Sequence, residues 1–311
     1  MFDAASKAVF SALASSRALK RAASRYGMRS PASFARRFVA GEQVADAIEA
    51  ARAIERGGLT VTLDLLGESV ESIEAADAAT RAYIDTIREI ARAGISRNIS
   101  LKLTQLGLSI DRATSVDNLR RVLDRASEHG FFVRIDMESS SHTAQTLETL
   151  ETTWGIGYRN VGVVLQSYLR RSMDDAAHLI AMGVPVRLVK GAYREPRSVA
   201  YQRKSEVDAA FVSLMETLLR GGKAPAIATH DPAMIDATKR FASAHGIAPS
   251  AFEFQMLYGI RRDLQASLAA EGYRLRVYVP FGREWFPYFM RRLGERPANV
   301  QFVVRSLFRE K

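Results

Sequence analysis

Short apolar runs alternate along the chain with longer segments whose apolar residues recur at helical spacing. Several of these runs are rich in Val, Ile and Leu, which is typical of strands that are covered on both faces. We therefore predict that each run forms a buried strand. The eight runs are Leu59–Leu65, Ile99–Leu103, Phe131–Asp136, Val161–Gln166, Val184–Lys190, Ala226–Thr229, Phe252–Leu257 and Leu275–Val279.

Helical segments lie between these runs. Two clear examples are Glu71–Ala93 and Val116–His129, and Gly130 follows the second one, where a helix-ending glycine is expected. Strands that alternate with helices indicate parallel βα units, so the fold class is α/β. Eight units favour a closed (β/α)8 TIM-like barrel, and the pattern alone leaves a doubly wound open sheet as the alternative.

The chain has no linker rich in Pro, Gly or Ser, and its 311 residues suit one barrel domain. We predict a single domain over 1–311, with an N-terminal helical segment (1–56), the barrel (57–299) and a C-terminal tail (300–311). Residues 6–27 are basic, rich in Ser and Ala, and free of acidic residues. Such a stretch fits an amphipathic helix packed on the barrel, or alternatively a transit peptide.

Composition excludes several kinds of site and partner. The chain has no cysteine, and its five histidines form no HExxH pair, so disulfides, thiolate sites and a dedicated metal site are not expected. No apolar run approaches the ~20 residues of a spanning helix, and we expect a cytoplasmic protein. The net charge of +10 suits an anionic ligand or lipid. Nucleic acid is not expected, because no binding motif for it is visible.

Polar residues occur at the ends of all the predicted strands. The active site of a (β/α)8 barrel lies where the carboxyl ends of its strands meet, so these side chains are expected to converge at one mouth. They are Asp64 and Glu68, Lys102, Asp136 to Glu138, Gln166, Arg187, Lys190 and Tyr193, Thr229 to Asp231, Glu253 and Gln255, and Tyr278.

The last predicted helix has a basic face. Tyr288, Arg291, Arg292 and Glu295 are spaced i, i+3, i+4 and i+7, so they share one side of the helix. Adjacent guanidinium groups suit a carboxylate or phosphate, which they bind in bidentate fashion. The alternative is a solvated basic face, which the aromatic residues next to it disfavour.

Three single residues have competing interpretations. Lys102 in an apolar strand needs a partner, and Asp136 on the next strand is the candidate. Lys190 at a strand end could form a Schiff base, which predicts an aldolase-type barrel as the alternative function. His230 is either a general base or part of a loop before a helix cap. No GxGxxG or Walker sequence is present, so a nucleotide cofactor would be held in another way.

Eight blocks of sequence together resemble the proline dehydrogenase family, in its short bacterial monofunctional form. They occur in the family's order from about residue 63 to 296, and their combination is far more specific than any one block. They are LDLLGES, SLKLTQLG, RIDMES, VVLQSYLRRS, VRLVKGAYREP, ATHDP, FEFQMLYGIRRDLQ and YVPFGREWFPYFMRRLGER. The resemblance implies a distorted barrel with FAD bound noncovalently at its mouth and a last helix that covers the substrate.

The resemblance also implies a role for each matching residue. Asp136, Arg187 and Tyr278 are expected to be catalytic. Glu68 is expected to pair with Arg291 as a gate over the substrate. The residues expected to bind the substrate are Lys102, Arg291, Arg292, Tyr193, Ala192, Leu257, Tyr288, Glu295 and Glu68. Met137, Gln166, Arg187, Lys190, Gly191, Ala192, Thr229 and His230 are expected to contact FAD.

The activity that the resemblance implies is oxidation of L-proline to Δ1-pyrroline-5-carboxylate, the first step of proline catabolism to glutamate. A hydride passes to flavin N5, and the electrons continue to a membrane quinone. A quinone in the bilayer requires peripheral membrane contact, and the C-terminal tail offers an apolar stripe bordered by Arg305, Arg309 and Lys311. The stripe consists of Val300, Val303, Val304, Leu307 and Phe308. The alternative is that this stripe docks on the barrel.

Overall fold

The computed structural model describes Met28 and residues 34–294, and the described strands form one closed parallel barrel. Each strand pairs with its neighbours in sequence, and β1 completes the barrel by pairing with β8. The strands are β1 (Thr60–Leu65), β2 (Asn98–Leu101), β3 (Phe132–Ile135), β4 (Val161–Gln166), β5 (Val186–Val189), β6 (Ala226–Ala228), β7 (Glu253–Leu257) and β8 (Leu275–Phe281). The (β/α)8 barrel is confirmed, and the open sheet is excluded.

Each predicted run overlaps one of these strands, with small differences at the ends: β2 begins one residue before its run, at Asn98, and β8 extends two residues beyond its run, to Phe281. The run Ile99–Leu103 extends too far, because the chain leaves β2 after Leu101 and turns into a short 3₁₀ helix, Leu103–Leu106. The run that ends at Lys190 also overshoots, since β5 ends at Val189. Both basic residues, Lys102 and Lys190, therefore lie just beyond a strand, where a barrel carries its functional groups.

The described helices are α1 (Val44–Arg56), α2 (Ile73–Ala93), α3 (Arg112–Glu128), α4 (Ser140–Gly155), α5 (Ser172–Met182), α6 (Lys204–Gly221), α7 (Pro232–Ala244), α8 (Arg262–Ala270) and α9 (Trp285–Gly294). Helix α3 begins four residues before the prediction, because Asp111 caps it by accepting a hydrogen bond from Thr114 N–H. Gly130 adopts φ +68° just after α3, as predicted for a helix-ending glycine.

The core lies between the strands and the inward faces of the helices. Every residue of β4 is buried, as expected for a strand covered on both sides. On α2, Tyr83, Ile87 and Ile90 are fully buried at spacings of four and three residues, so this helix presents one apolar stripe to the barrel.

An ion-paired cluster fills the end of the barrel opposite the mouth. Glu253 starts β7 and accepts hydrogen bonds from Arg276 Nε at 2.9 Å and Nη2 at 3.1 Å. Arg134 donates to the carbonyl of Pro185 at 2.6 Å. The prediction that Glu253 belongs to the mouth was wrong. Glu253 is the first residue of β7, whereas Gln255 lies two residues further along it. Of these two side chains, Gln255 lines the mouth and Glu253 does not.

The segment before α1 packs on α9, the last of the described helices. Trp285, on α9, is 2% exposed and donates to Glu42 Oε1 at 3.1 Å, and Phe38 belongs to the same apolar cluster. Backbone hydrogen bonds tie Ala40 to Pro280 and Gly282 to Gly41, each at 2.9 Å. Of the predicted N-terminal segment, the described part contains a 3₁₀ turn (Phe34–Arg37) and α1. The tail 300–311 lies outside the described residues.

Candidate active site

A cavity of about 660 Å³ opens at the carboxyl end of the barrel. This volume suits a small-molecule or cofactor site. Side chains on or just after seven of the strands, β2 to β8, line it together with residues of α9. The predicted convergence of polar strand ends on one mouth is therefore observed for seven of the eight strands, whereas Asp64 of β1, Glu138 and Glu253 do not line the cavity.

Nearly all of the predicted site residues line this cavity. They are Lys102, Asp136, Met137, Gln166, Arg187, Lys190, Gly191, Ala192, Tyr193, Thr229, His230, Leu257, Tyr278, Tyr288, Arg291 and Arg292. Glu68 reaches the site by contacting Arg291. Glu295 lies outside the described residues.

The charge of the lining is strongly positive. Two acidic side chains, Asp136 and Asp231, face seven basic ones among the described residues. An excess of cations in a concave site favours an anionic ligand. The basic residues are Arg37, Lys102, Arg187, Lys190, Arg261, Arg291 and Arg292.

Asp136 organises one end of the cavity. Its Oδ1 accepts a hydrogen bond from Arg187 Nη1 at 2.8 Å, and its Oδ2 accepts one from the Tyr278 hydroxyl at 2.8 Å. Burial, together with the neighbouring carboxylate, raises the pKa of Tyr278 well above its usual value. The phenol therefore keeps its proton at neutral pH and stays a donor to Asp136.

Lys102 lies between two carboxylates. Its Nζ is 3.9 Å from Asp136 Oδ2, the predicted partner, and 3.6 Å from Asp64 Oδ2. Asp64 is fully buried, and burial raises its pKa while Lys102 acts in the opposite direction. Burial also disfavours the ammonium of Lys102, but Asp64 and Asp136 outweigh it and raise the pKa. Lys102 is therefore a fixed positive charge beneath the cavity.

Helix α9 brings two arginines to the cavity. Arg291 Nη1 donates to Glu68 Oε1 at 2.8 Å, and Glu68 lies on the loop of residues 66–72 between β1 and α2. Burial would lower the pKa of Arg291, but the Glu68 carboxylate raises it. Arg292 lies one helical turn from Tyr288, its guanidinium carbon 5.1 Å from the ring centroid. The predicted shared face is confirmed for Tyr288, Arg291 and Arg292.

Lys190 is bound by two carboxylates. Its Nζ is 2.5 Å from Asp208 Oδ1 and 2.7 Å from Asp231 Oδ2. Burial opposes the charged form of each aspartate, yet Lys190 lowers the pKa of both. A Schiff-base lysine must present an uncharged amine. This double ion pair therefore disfavours the aldolase interpretation.

Backbone conformation and short polar contacts shape the other end of the cavity. Gly191 adopts φ +116°, and a Cβ atom there would lie 2.4 Å from the Tyr168 ring, so the position needs glycine. His230 Nε2 accepts the Leu257 N–H at 2.9 Å, which joins the end of β6 to the end of β7. This contact favours the loop interpretation of His230.

Sequence reasoning missed several residues of the lining. Arg37 and Phe38 come from the segment before the barrel, and no local pattern pointed to them. Gly259 and Arg261 follow β7 directly, so their position after a strand end was the available signal. Arg261 has an unusual left-handed backbone, with φ +50°.

A flavin dinucleotide fits the chemistry of these walls. An isoalloxazine ring needs apolar surface, which Val164, Val189 and Met256 provide. A diphosphate needs cations, and Lys190 and Arg261 are among those that line the cavity. Among the described residues, no group of His, Asp and Glu is arranged to hold a metal ion.

Comparisons with known proteins agree on one family. A family model described as proline dehydrogenase matches residues 47–305. Proline dehydrogenase of Deinococcus radiodurans is 46% identical over 279 residues, which is 88% of this chain and 90% of that protein. Proline dehydrogenase 1 of Bacillus subtilis is 40% identical over 302 residues, covering 97% of this chain and 99% of that protein.

A solved structure has the same fold. Proline utilization A (PutA) from Bdellovibrio bacteriovorus, inactivated by N-propargylglycine, gives a TM-score of 0.78 at 29% identity over 83% of this chain. This chain spans 32% of that PutA chain. The chain therefore belongs to the proline dehydrogenase family, and it is an oxidoreductase of proline catabolism.

Proposed function

We propose that this protein oxidises L-proline to Δ1-pyrroline-5-carboxylate with FAD bound in the cavity at the barrel mouth. The observation that supports it most is the meeting of Lys102, Arg291 and Arg292 at one cavity whose walls are partly apolar. Proline combines a carboxylate with a small apolar ring. Three cations beside an apolar wall suit both halves of that molecule.

In this proposal the carboxylate of proline binds Lys102, Arg291 and Arg292. The pyrrolidine ring lies among Tyr193, Ala192, Leu257, Tyr278 and Tyr288, which line the same cavity. Burial raises the pKa of Tyr193 to about 12, so its phenol is neutral and packs against the ring without adding charge. Glu295, which the resemblance also assigns to the substrate, remains a sequence-based prediction.

The residues that would hold the cofactor all line the cavity. They are Met137, Gln166, Arg187, Lys190, Gly191, Ala192, Thr229 and His230. When bound, FAD would supply, at its N5, the electron acceptor for the hydride that leaves proline C5. Arg187 would place a positive charge near that atom, with Asp136 fixing the direction of its guanidinium group.

Asp136 connects the two halves of this proposed site. It binds Arg187 on the cofactor side and Tyr278 on the substrate side, each at 2.8 Å. Substrate and cofactor walls that share one carboxylate keep a fixed distance from each other. Fixed geometry is what the protein contributes to a reaction whose redox chemistry belongs to the cofactor.

The electron acceptor after the flavin is proposed to be a membrane quinone, reached by peripheral contact of a cytoplasmic protein with the inner face of the cell membrane. Among the described residues, no helix is long and apolar enough to span a bilayer. The basic tail 300–311, outside the described residues, remains the candidate for that contact.

The proposal can be tested by measuring the absorption spectrum of the purified protein before and after L-proline is added. We expect flavin absorption near ~450 nm that bleaches when L-proline is added without oxygen, and formation of pyrroline carboxylate detected by mass spectrometry. A colourless protein that neither binds FAD nor consumes proline would contradict the proposal. Covalent trapping of a substrate on Lys190 by borohydride would support the aldolase alternative instead.

A further inference from the structure

Glu138 is a buried carboxylate that neither the proposed substrate site nor the proposed cofactor site uses directly. It follows β3 two residues after Asp136 and is 4% exposed. Burial raises its pKa. Among the described residues no basic side chain forms an ion pair with it, and its partner is the neutral Thr104.

Both oxygens of Glu138 bind Thr104. Oε1 accepts the Thr104 backbone N–H at 3.1 Å, and Oε2 accepts the Thr104 hydroxyl at 2.5 Å. A hydroxyl has one proton to donate. Because the Thr104 hydroxyl donates its one hydrogen bond to Glu138, the lone pairs of Thr104 Oγ1 can only accept hydrogen bonds from other groups.

Thr104 in turn binds the 66–72 loop. Its Oγ1 accepts the Ser69 N–H at 3.0 Å, and its carbonyl accepts the Val70 N–H at 3.3 Å. Ser69 is held at φ +54°, a left-handed conformation that serine rarely adopts. A strained backbone conformation persists only where surrounding contacts stabilise it, and these two hydrogen bonds to Thr104 are such contacts.

The same loop carries Glu68, whose carboxylate meets Arg291 at 2.8 Å. We propose that Glu138 and Thr104 are positioning residues that hold the 66–72 loop in place, so that Glu68 is presented to Arg291 and the substrate end of the cavity is closed. This inference rests on the proposed function only for the consequence that proline binding weakens when the hold is lost. The hold itself can be measured without any substrate.

The first experiment uses Thr104→Val, which keeps the side-chain shape and removes the hydroxyl. Hydrogen exchange followed by mass spectrometry should show peptides within 66–72 exchanging at least ~10-fold faster than in the wild type. Thr104→Ser keeps the hydroxyl and should restore slow exchange. Thr80→Val is the matched control, because the Thr80 hydroxyl is equally buried but donates to Ala76 O of its own helix.

The second experiment measures proline oxidation. Thr104→Val should raise KM for L-proline by ~3–10-fold, with kcat and bound FAD within about twofold of the wild type, since one hydrogen bond of the closed state is lost. The same substitution in a Glu68→Ala protein should change KM by less than about twofold, because the loop then has no carboxylate to present.

Glu138→Gln provides an independent variant of the same size. In one orientation of the amide, its NH2 faces the Thr104 N–H, and that hydrogen bond is lost. In the other orientation, the NH2 can only donate to Thr104 Oγ1, so that hydrogen bond is reversed and competes with the Ser69 N–H for the same oxygen. Glu138→Gln should therefore speed loop exchange and raise KM in the same direction as Thr104→Val.

Three results would overturn the inference. They are unchanged exchange in 66–72 for Thr104→Val, an equal rise in KM with and without Glu68, and loss of FAD as the main defect of Thr104→Val. If the wild type fails to oxidise proline, the proposed function fails, and the exchange data still decide whether Glu138 and Thr104 hold the loop.

Discussion

Arg292 illustrates how much a single side chain is expected to contribute. It lines the cavity beside Arg291 and stacks with Tyr288. Arg292→Met keeps much of the side-chain length and removes the charge. Loss of a charge-assisted hydrogen bond costs about 1.5–3 kcal/mol, so KM for proline should rise tenfold or more while FAD stays bound. Steady-state kinetics and flavin absorbance measure both quantities.

The control for Arg292 is Arg88→Met. Arg88 lies on the outside of α2 in an exposed pair with Asp85, at 2.8 Å. Exposed pairs contribute little, so neither KM nor flavin content should change. An unchanged KM in Arg292→Met with full flavin content would remove Arg292 from the proposed substrate site.

Gly191 allows a test of the proposed cofactor end of the cavity, also at the scale of one residue. Alanine there would place a Cβ atom 2.4 Å from Tyr168 and would have to adopt φ +116°. We expect Gly191→Ala to be purified with less than about half of the wild-type flavin, because the wall of the cavity must shift to relieve the clash. The FAD content is measured by absorbance after denaturation.

Gly94→Ala is the control that separates the effect of backbone strain from the effect of a clash in the cavity wall. Gly94 has φ +70° with nothing within 4 Å of its would-be Cβ, and it lies at the end of α2. It should lose about 1 kcal/mol of stability from strain and keep its FAD. Equal loss of flavin in both variants would mean that Gly191 acts through general stability.

At the scale of elements, the Glu253–Arg276 pair joins β7 to β8 below the cavity. Burial disfavours the carboxylate, but Arg276 outweighs it and lowers the pKa of Glu253. A carboxyl with a lowered folded-state pKa stabilises the fold above its unfolded-state value of about 4.3, and this contribution is lost as the pH falls through the folded-state value.

Glu253→Gln should therefore lower stability at pH 7 by about 3 kcal/mol, since it leaves Arg276 without its charge partner. The difference in melting temperature from the wild type should begin to shrink as the pH falls below the unfolded-state pKa of about 4.3, and it should disappear once the pH has passed the lower folded-state pKa. Glu89→Gln, in an exposed pair with Arg92, should show no such pH dependence. A difference that stays constant from pH 7 to pH 3 would contradict this account of the pair.

The elements were predictable wherever burial on both faces left a pattern in the residues. β4 is buried throughout, and its predicted bounds were the observed ones. The first turn of α3 was missed because it has few apolar residues, and the cap at Asp111 defines its start. The end of β7 that carries Glu253 was misassigned, because composition does not show where a strand begins within a run.

The candidate site was predictable to the extent that its residues follow strands or match the family's motifs. Lys102 and Asp136 were paired correctly, yet Asp64 lies closer to Lys102 at 3.6 Å. Arg37 was missed because it reaches the cavity through packing of an N-terminal turn against Gly259. Such contacts depend on the whole fold and leave no local signal.

The whole molecule must reach a bilayer if its electrons pass to a quinone. Residues 300–311, outside the described part, have a basic and apolar pattern that suits an interfacial helix, where each basic residue adds about 1 kcal/mol on an anionic surface. Deleting them should leave dye reduction unchanged, abolish cosedimentation with anionic liposomes and slow reduction of embedded quinone. Neutral liposomes are the control, and a truncated protein that unfolds or loses FAD would show that the tail docks on the barrel.

Early and late parts of the chain meet twice in this fold. The barrel closes when β1 pairs with β8, and its mouth closes when α9 packs against the segment before α1. Folding therefore cannot be completed until the late parts have been synthesised. Glu42 and Trp285 are 243 positions apart, and Glu68 and Arg291 are 223 apart. At a ribosomal rate of roughly 5–20 residues per second, the early partners wait on the order of ten to fifty seconds for the late ones.

During that interval β1 has a free edge, and the apolar residues that will contact α9 remain exposed to solvent. Contacts so distant in sequence also form slowly once both partners are present. The cavity at the barrel mouth is therefore a late product of synthesis, completed only when α9 has left the ribosome. A nascent chain in which α9 has not yet left the ribosome should be unable to retain FAD.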